Sequence, residues 1–455
     1  MIVRLAPAAL LLLAGAGDQV LAQAKPIRVP YTADTLANGL VLVVHQDHSV
    51  PIVSVSTLRR VGSADEKLGR TGLAHLYEHL MFMGSEHAPY PRFDRLLEAA
   101  GADNNAYTTE DRTVYYESGP SNALPLMIWL EADRTGWFLS TMDSAKVDLQ
   151  RDVVKNERRQ RVDNQPYGLA DETLLQRLYP ASHPYSWPVS GSMADLSAAS
   201  LDDVRNFFRR FYAPNNTTIV VAGDVQRAEV LRLVRGYFAS VPRGPAVTRP
   251  SPAPFHLARD TASVLEDRVQ LPRLYYMWHT VKRGHPDEAP LKLLGYILTG
   301  AKNSRLIQSL VYQDQLATEV TASSGAKRLD GDFTIVASAR PNQQLPKLQA
   351  VIDRELGRLI AEGPRPRELE QAKNSTEASF LGGIETVEDK ADALNVYLYE
   401  LGQADAFQLE LDRLRAVTAP DIQRVAKQYL AAPKVILSIV PIGATGLAAK
   451  TGEAF

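Results

Sequence analysis

The chain has no cysteine among its 455 residues. That absence excludes disulfides, thiolate metal sites, cysteine nucleophiles and a lipid-modified N-terminal cysteine. A strong net charge is also missing: the formal charge is −2 at pH 7. Neither general nucleic-acid binding nor a strong surface field is expected from such a balance. No stretch is apolar enough to span a membrane, which takes about 20 residues. The apolar run from Leu5 to Gly17 is short, follows Arg4 and precedes Ala22-Gln23-Ala24, a small-x-small pattern. Residues 1–24 therefore read as an export signal. An exported, cysteine-free chain points to a bacterial periplasm or the exterior.

What is present suits a globular protein of more than one domain. Hydrophobic content is 45%, an ordinary value, and the length suggests two or more domains. Residues 241–254 hold five prolines, a stiff, extended composition without a packed face. They divide the chain into halves of similar size, 27–240 and 255–445. Each half opens on a strand-like segment and a helix (52–59 with 73–83; 274–280 with 289–299). Each closes on a helix and a Val/Ile-rich strand (202–212 with 217–222; 419–430 with 435–440). Strands and helices interleave without strict alternation, so the expected class is α+β, here a duplicated α+β unit. The Gly/Ala-rich tail after Ile442 is expected to be loose.

The chemistry concentrates at His75-Leu76-Tyr77-Glu78-His79. Leu73, Leu76 and Leu80 recur at helical spacing. Residues four apart share a helix face, so His75 and His79 can grip one metal ion while Glu78 hangs beside it. This is H-x-x-E-H, the inverzincin signature, and zinc is the metal that two imidazoles and a carboxylate suit. A catalytic zinc takes three protein ligands and keeps one position open. The helical stretch 146–160 offers Asp148, Asp152 and Glu157, and spacing alone does not choose among them. His45, His48, His87, His183, His256, His279 and His285 have no metal-like spacing and read as structural or exposed.

These motifs resemble peptidase family M16, the pitrilysin and mitochondrial processing peptidase family, in its shorter two-domain form. Further matching stretches are Gly101 to Thr109, Asp111 to Tyr115, His183-Pro184-Tyr185 with Gly191, Tyr212 to Asn216, and Val221 to Asp224. The resemblance makes Glu157 the third zinc ligand and Glu78 the general base and acid of peptide hydrolysis. It makes the stretch around Asn104 and Ala106 the sheet edge that receives an extended peptide substrate. Many active members carry a second Glu where this chain has Gln150, so Gln150 is expected beside the ligands with no charge to offer.

In active members the second half supplies an Arg and a Tyr, seven apart, that grip the substrate. The matching block places Val311 and Thr318 there. Arg305 and Tyr312 are also seven apart but out of register, and loss of the pair is the favoured reading. The resemblance thus implies a zinc metalloendopeptidase acting on short or unfolded polypeptides as the zinc-bearing subunit of a heterodimer, with a homodimer as the alternative. The competing function is a proteolytically silent subunit for assembly or binding.

Overall fold

Two segments rich in β-branched residues, Thr217–Gly223 and Val435–Pro441, are buried along almost their whole length. Such runs suit strands covered on both faces, and each segment lies inside a sheet. The structure is a computed structural model that describes residues 26–449; the expected export signal falls outside them. The first sheet comprises β1 (Thr32–Thr35), β2 (Val41–Gln46), β3 (Ile52–Arg59), β4 (Asp103–Thr108), β5 (Thr113–Pro120) and β6 (Thr217–Gly223). Its order is β1-β2-β6-β3-β5-β4, so β4 is an edge. The second comprises β7 (Thr261–Asp267), β8 (Arg273–Thr280), β9 (Ala317–Ala326), β10 (Gly331–Ala339) and β11 (Val435–Pro441), in the order β7-β11-β8-β10-β9.

Without β1 the two orders coincide strand for strand. The one parallel pair in each sheet also sits at the same place, β2 with β6 and β7 with β11. The fold is a duplicated α+β unit, as expected. Residues 241–254 contain no helix or strand. They are pinned to the first half, where Arg249 donates to Arg60 O at 2.6 Å and to Asn216 Oδ1 at 2.8 Å.

The halves also exchange helices. Ala170–Leu178, from the first half, packs on β8 and β11; Val387–Leu401, from the second, packs on the equivalent strands β3 and β6. Leu174 and Leu178 join Tyr275, Met277 and Leu437 in one buried cluster. Ala391 and Leu394 join Val43, Val220 and Ala222 in another. Asn395 is wholly buried there, and its Nδ2 donates to Ser56 O at 2.9 Å. Val387–Leu401 is not among the elements expected from sequence, because its buried stripe includes that Asn.

The tail differs from expectation. Thr445–Leu447 form a 3-10 turn, Leu447 to Ala449 pack against the second half's core, and the Ala449 N–H donates to Ser438 Oγ at 3.0 Å. Small apolar side chains suffice to dock this segment.

Because Leu394 is fully buried between the halves, Leu394→Ala should lower unfolding stability in urea by about 2–5 kcal/mol. Leu381→Ala, at a position 40% exposed, should change it by no more than about 0.5 kcal/mol. Equal midpoints for the two variants would contradict this packing.

Candidate metal centre

The helix Leu73–Leu80 spans only two turns, too short to hold itself in water, so its surroundings place it. Glu66 accepts hydrogen bonds from the first-turn N–H groups, Gly72 N at 2.9 Å and Ala74 N at 2.7 Å, which satisfies donors a helix start leaves open. Gly72 takes φ +88°, and a Cβ there would lie 2.9 Å from Ser190 O. Gly191 lies against it; a Cβ on Gly191 would meet Gly72 N at 2.4 Å. On the inward face Tyr77 is buried, donates to Val204 O and packs against Phe207 and Tyr212. The opposite face carries His75 and His79, their ring centroids 4.9 Å apart.

Glu157 arrives on the helix Ser144–Arg158, whose start is capped by Asp143 accepting from Lys146 N at 2.9 Å. Its last residue, Arg158, donates to Gly191 O at 2.7 Å and pairs with Glu172 at 2.6 Å. The loop at Gly191 therefore touches the start of one helix and the end of the other. Glu157 Oε2 lies 3.2 Å from His79 Nε2 and 3.7 Å from His75 Nε2. Its other oxygen, Oε1, pairs with Arg161 Nη1 at 2.6 Å. Burial, above all other causes, holds His75 and His79 below the usual histidine range. Both are then neutral at pH 7, the form that binds a metal.

The donor atoms of His75, His79 and Glu157 lie within 4.8 Å of one another, and among the described residues no other such cluster occurs. His75 Nδ1 is buried without a hydrogen-bond partner. Two neutral imidazole nitrogens and one carboxylate oxygen, converging beside an open cleft, fit a catalytic zinc.

Glu78 lines the same cleft, a space of about 410 Å³ bounded also by Ala106, Tyr107 and Thr108 of β4. Thr108 Oγ1 donates to Glu78 Oε2 at 2.6 Å. Burial pushes the Glu78 carboxyl up, partly offset by that hydrogen bond. Along β4 the Thr109 N–H turns inward to Arg112 O at 2.8 Å. Alternation then turns the backbone of Asn104, Ala106 and Thr108 toward the open edge. The Ala106 N–H is taken up by Asn105 Oδ1 at 2.8 Å, and the Asn104 side chain donates to Asp94 at 3.1 Å. The second half supports this strand: Tyr107 OH donates to Asp392 Oδ1 at 2.7 Å, and Arg112 donates to Glu400 Oε1 at 2.6 Å.

Gln150 lies on the same helix as Glu157 and two turns before it. Its amide donates to Met83 Sδ at 2.8 Å, and no hydrogen bond joins it to His75, His79, Glu78 or Glu157 among the described residues. Arg305 and Tyr312 sit in different surroundings. Arg305 is buried, donating to Glu368 at 2.8 Å and to Gly363 O at 2.9 Å, whereas Tyr312 is 50% exposed. Val311 packs on the second half's core and Thr318 Oγ1 donates to Ser338 O at 3.3 Å. Other histidines have partners elsewhere, such as His48 with Asp224 at 2.6 Å and His279 with Asp330 at 2.7 Å. Thr108 and Arg161 were missed from sequence: a Thr in a strand and an Arg among arginines carry no motif, and only the fold brings them to the site.

Residues 41–184 match the family described as insulinase (peptidase family M16), and residues 198–376 match the peptidase M16 inactive domain. The chain belongs to peptidase family M16. Its relatives include the zinc protease PqqE of Helicobacter pylori, 29% identical over 87% of this chain and 89% of that protein. Among solved structures, a protease from Helicobacter pylori superposes with a TM-score of 0.84 at 26% identity, covering 91% of this chain and 100% of that one. The periplasmic protease PqqL of Escherichia coli shares the fold, with a TM-score of 0.77 at 19% identity, over 94% of this chain and 50% of that one. No helix among the described residues is long and apolar enough to cross a membrane.

The site's geometry separates two substitutions on one helix. Glu157→Ala should cut zinc retained after dialysis, read by elemental analysis, by more than about tenfold, the lower end of what even outer-shell changes cost. Gln150→Ala should leave retained zinc within about twofold of the parent, below the range in which outer-shell partners act. Equal zinc loss in both would contradict the placement of Gln150.

Proposed function

We propose that this chain is a zinc-dependent endopeptidase of short or unfolded polypeptides. The observation that carries the reading is the convergence of His75, His79 and Glu157 with Glu78 alongside. His75, His79 and Glu157 would hold the metal. Zinc bound there supplies Lewis acidity, which acidifies water and polarises a peptide carbonyl. Glu78 accepts the proton of the attacking water and returns it to the departing amine nitrogen. Thr108 holds Glu78 Oε2 at 2.6 Å, which leaves Oε1 to carry that proton. The substrate lies extended along β4, with the Asn104 backbone and the Ala106 carbonyl offered at the open edge, an addition of one strand to a sheet.

The reading extends to a partner and a location. The second half matches a domain described as inactive, Val311 and Thr318 stand where substrate-gripping Arg and Tyr belong, and Arg305 is committed to Glu368. A second M16-like subunit carrying that pair would complete the site in a heterodimer. Export to a periplasm or the exterior follows from residues 1–24. Those same features of the second half favour one other reading, a proteolytically silent subunit used in assembly or binding.

Glu78→Gln separates the two. If the chain is a peptidase, this variant should retain zinc and lose about 10²–10⁴-fold in kcat on an unstructured peptide. Unchanged turnover, or none in the parent with or without a partner bearing the Arg and Tyr, would refute the peptidase reading. Thr108→Val removes a hydrogen bond that favours the ionised carboxylate of Glu78. The group then ionises at higher pH, so the acidic limb of kcat/KM should move upward. A downward or absent shift would mean that another group sets that limb.

A further inference from the structure

Outside the proposed ligands and Glu78, two charged side chains line the cleft, Arg158 and Arg161. Arg158 is buried and held by Gly191 O and Glu172. Arg161 is different. Its side chain is 78% exposed, and one nitrogen, Nη1, meets Glu157 Oε1 at 2.6 Å. No other hydrogen bond engages its guanidinium among the described residues.

A guanidinium carries five N–H donors in a planar fork. It can hold one carboxylate with one nitrogen and present another edge to a second. Glu157 points its other oxygen at His79 Nε2, 3.2 Å away. Arg161 and Glu78 line one cleft, so a peptide that reaches Glu78 enters the space that the guanidinium borders. Ala106, Val162 and Val189 line the same cleft. Arg161 also lines a second recess, where Arg273 lies over the Tyr167 ring at 3.8 Å and pairs with Glu319 at 3.0 Å. Asp171 shares that recess, so its formal charges balance.

Resting on the peptidase reading above, we propose that Arg161 makes this cleft select polypeptides with a carboxylate next to the cleaved bond, from an Asp or Glu side chain or from the chain end. The carboxylate takes charge-assisted hydrogen bonds from the unengaged edge of the guanidinium, while Nη1 stays on Glu157.

The test is binding by the zinc-loaded Glu78→Gln chain, followed by fluorescence anisotropy. The probes are unstructured peptides carrying Glu, Gln or Lys at each position in turn, with a free or an amidated C-terminus. At one position Glu should bind at least about tenfold tighter than Lys, the scale of a hydrogen bond to a charged group. Weakening on amidation would instead identify the chain end as the source. The preference should vanish in Glu78→Gln/Arg161→Ala and survive in part in Glu78→Gln/Arg161→Lys. The same ratio should appear in kcat/KM with Glu78 intact. Equal binding of Glu and Lys peptides at every position with no effect of amidation, or a preference that survives Arg161→Ala, would overturn the proposal. Binding selectivity without cleavage of any peptide would support carboxylate recognition and count against the peptidase reading.

Discussion

Glu157 Oε2 meets His79 Nε2 at 3.2 Å and His75 Nε2 at 3.7 Å, and much of the first half serves to bring these atoms together. Neither helix could place its side chains alone. The histidine helix is too short to persist without packing, so Glu66 caps its start and Tyr77 anchors its inward face. The glutamate helix is fixed at its far end by Arg158. Both meet the backbone at Gly191, one through Gly72 and the other through the 2.7 Å bond from Arg158 to Gly191 O. That loop brackets the site, and the closeness of Gly72 to Gly191 leaves no room for a side chain on either.

Duplication gave the protein two sheets of the same order, but among the described residues only the first half carries a cluster such as His75, His79 and Glu157. The second half contributes through contact. Its helix Val387–Leu401 covers β3 and β6, and from it Asp392 and Glu400 reach Tyr107 and Arg112 on the hairpin that borders the cleft. A half without ligands can thus steady the strand beside Glu78. The reciprocal helix Ala170–Leu178 joins the two cores from the other side, so neither half completes its sheet packing alone.

Much of this was legible in the sequence because it rests on local periodicity. The spacing of His75, Glu78 and His79, the buried strands Thr217–Gly223 and Val435–Pro441, and the proline-rich 241–254 each announce themselves within a short window. Glu157 needed the family resemblance, since Asp148 and Asp152 lie on the same helix and only the fold brings one carboxylate to the rings. Gln150 lies two turns from Glu157, and its hydrogen bond to Met83 Sδ was not legible from helix spacing. Arg161 and Thr108 were not legible, because their roles depend on what a distant segment places opposite them. The helix Val387–Leu401 was hidden by the buried Asn395, whose partner Ser56 lies in the other half.

The central claim is that two imidazoles and one carboxylate hold a single metal with a position left open. X-ray absorption at the zinc edge of the purified chain tests it most directly. The account predicts one zinc in a purely nitrogen and oxygen shell near about 2.0–2.1 Å, with outer-shell scattering from two imidazole rings. A shell with one imidazole or with three or more, or a chain that takes up no zinc from a saturating supply, would contradict it.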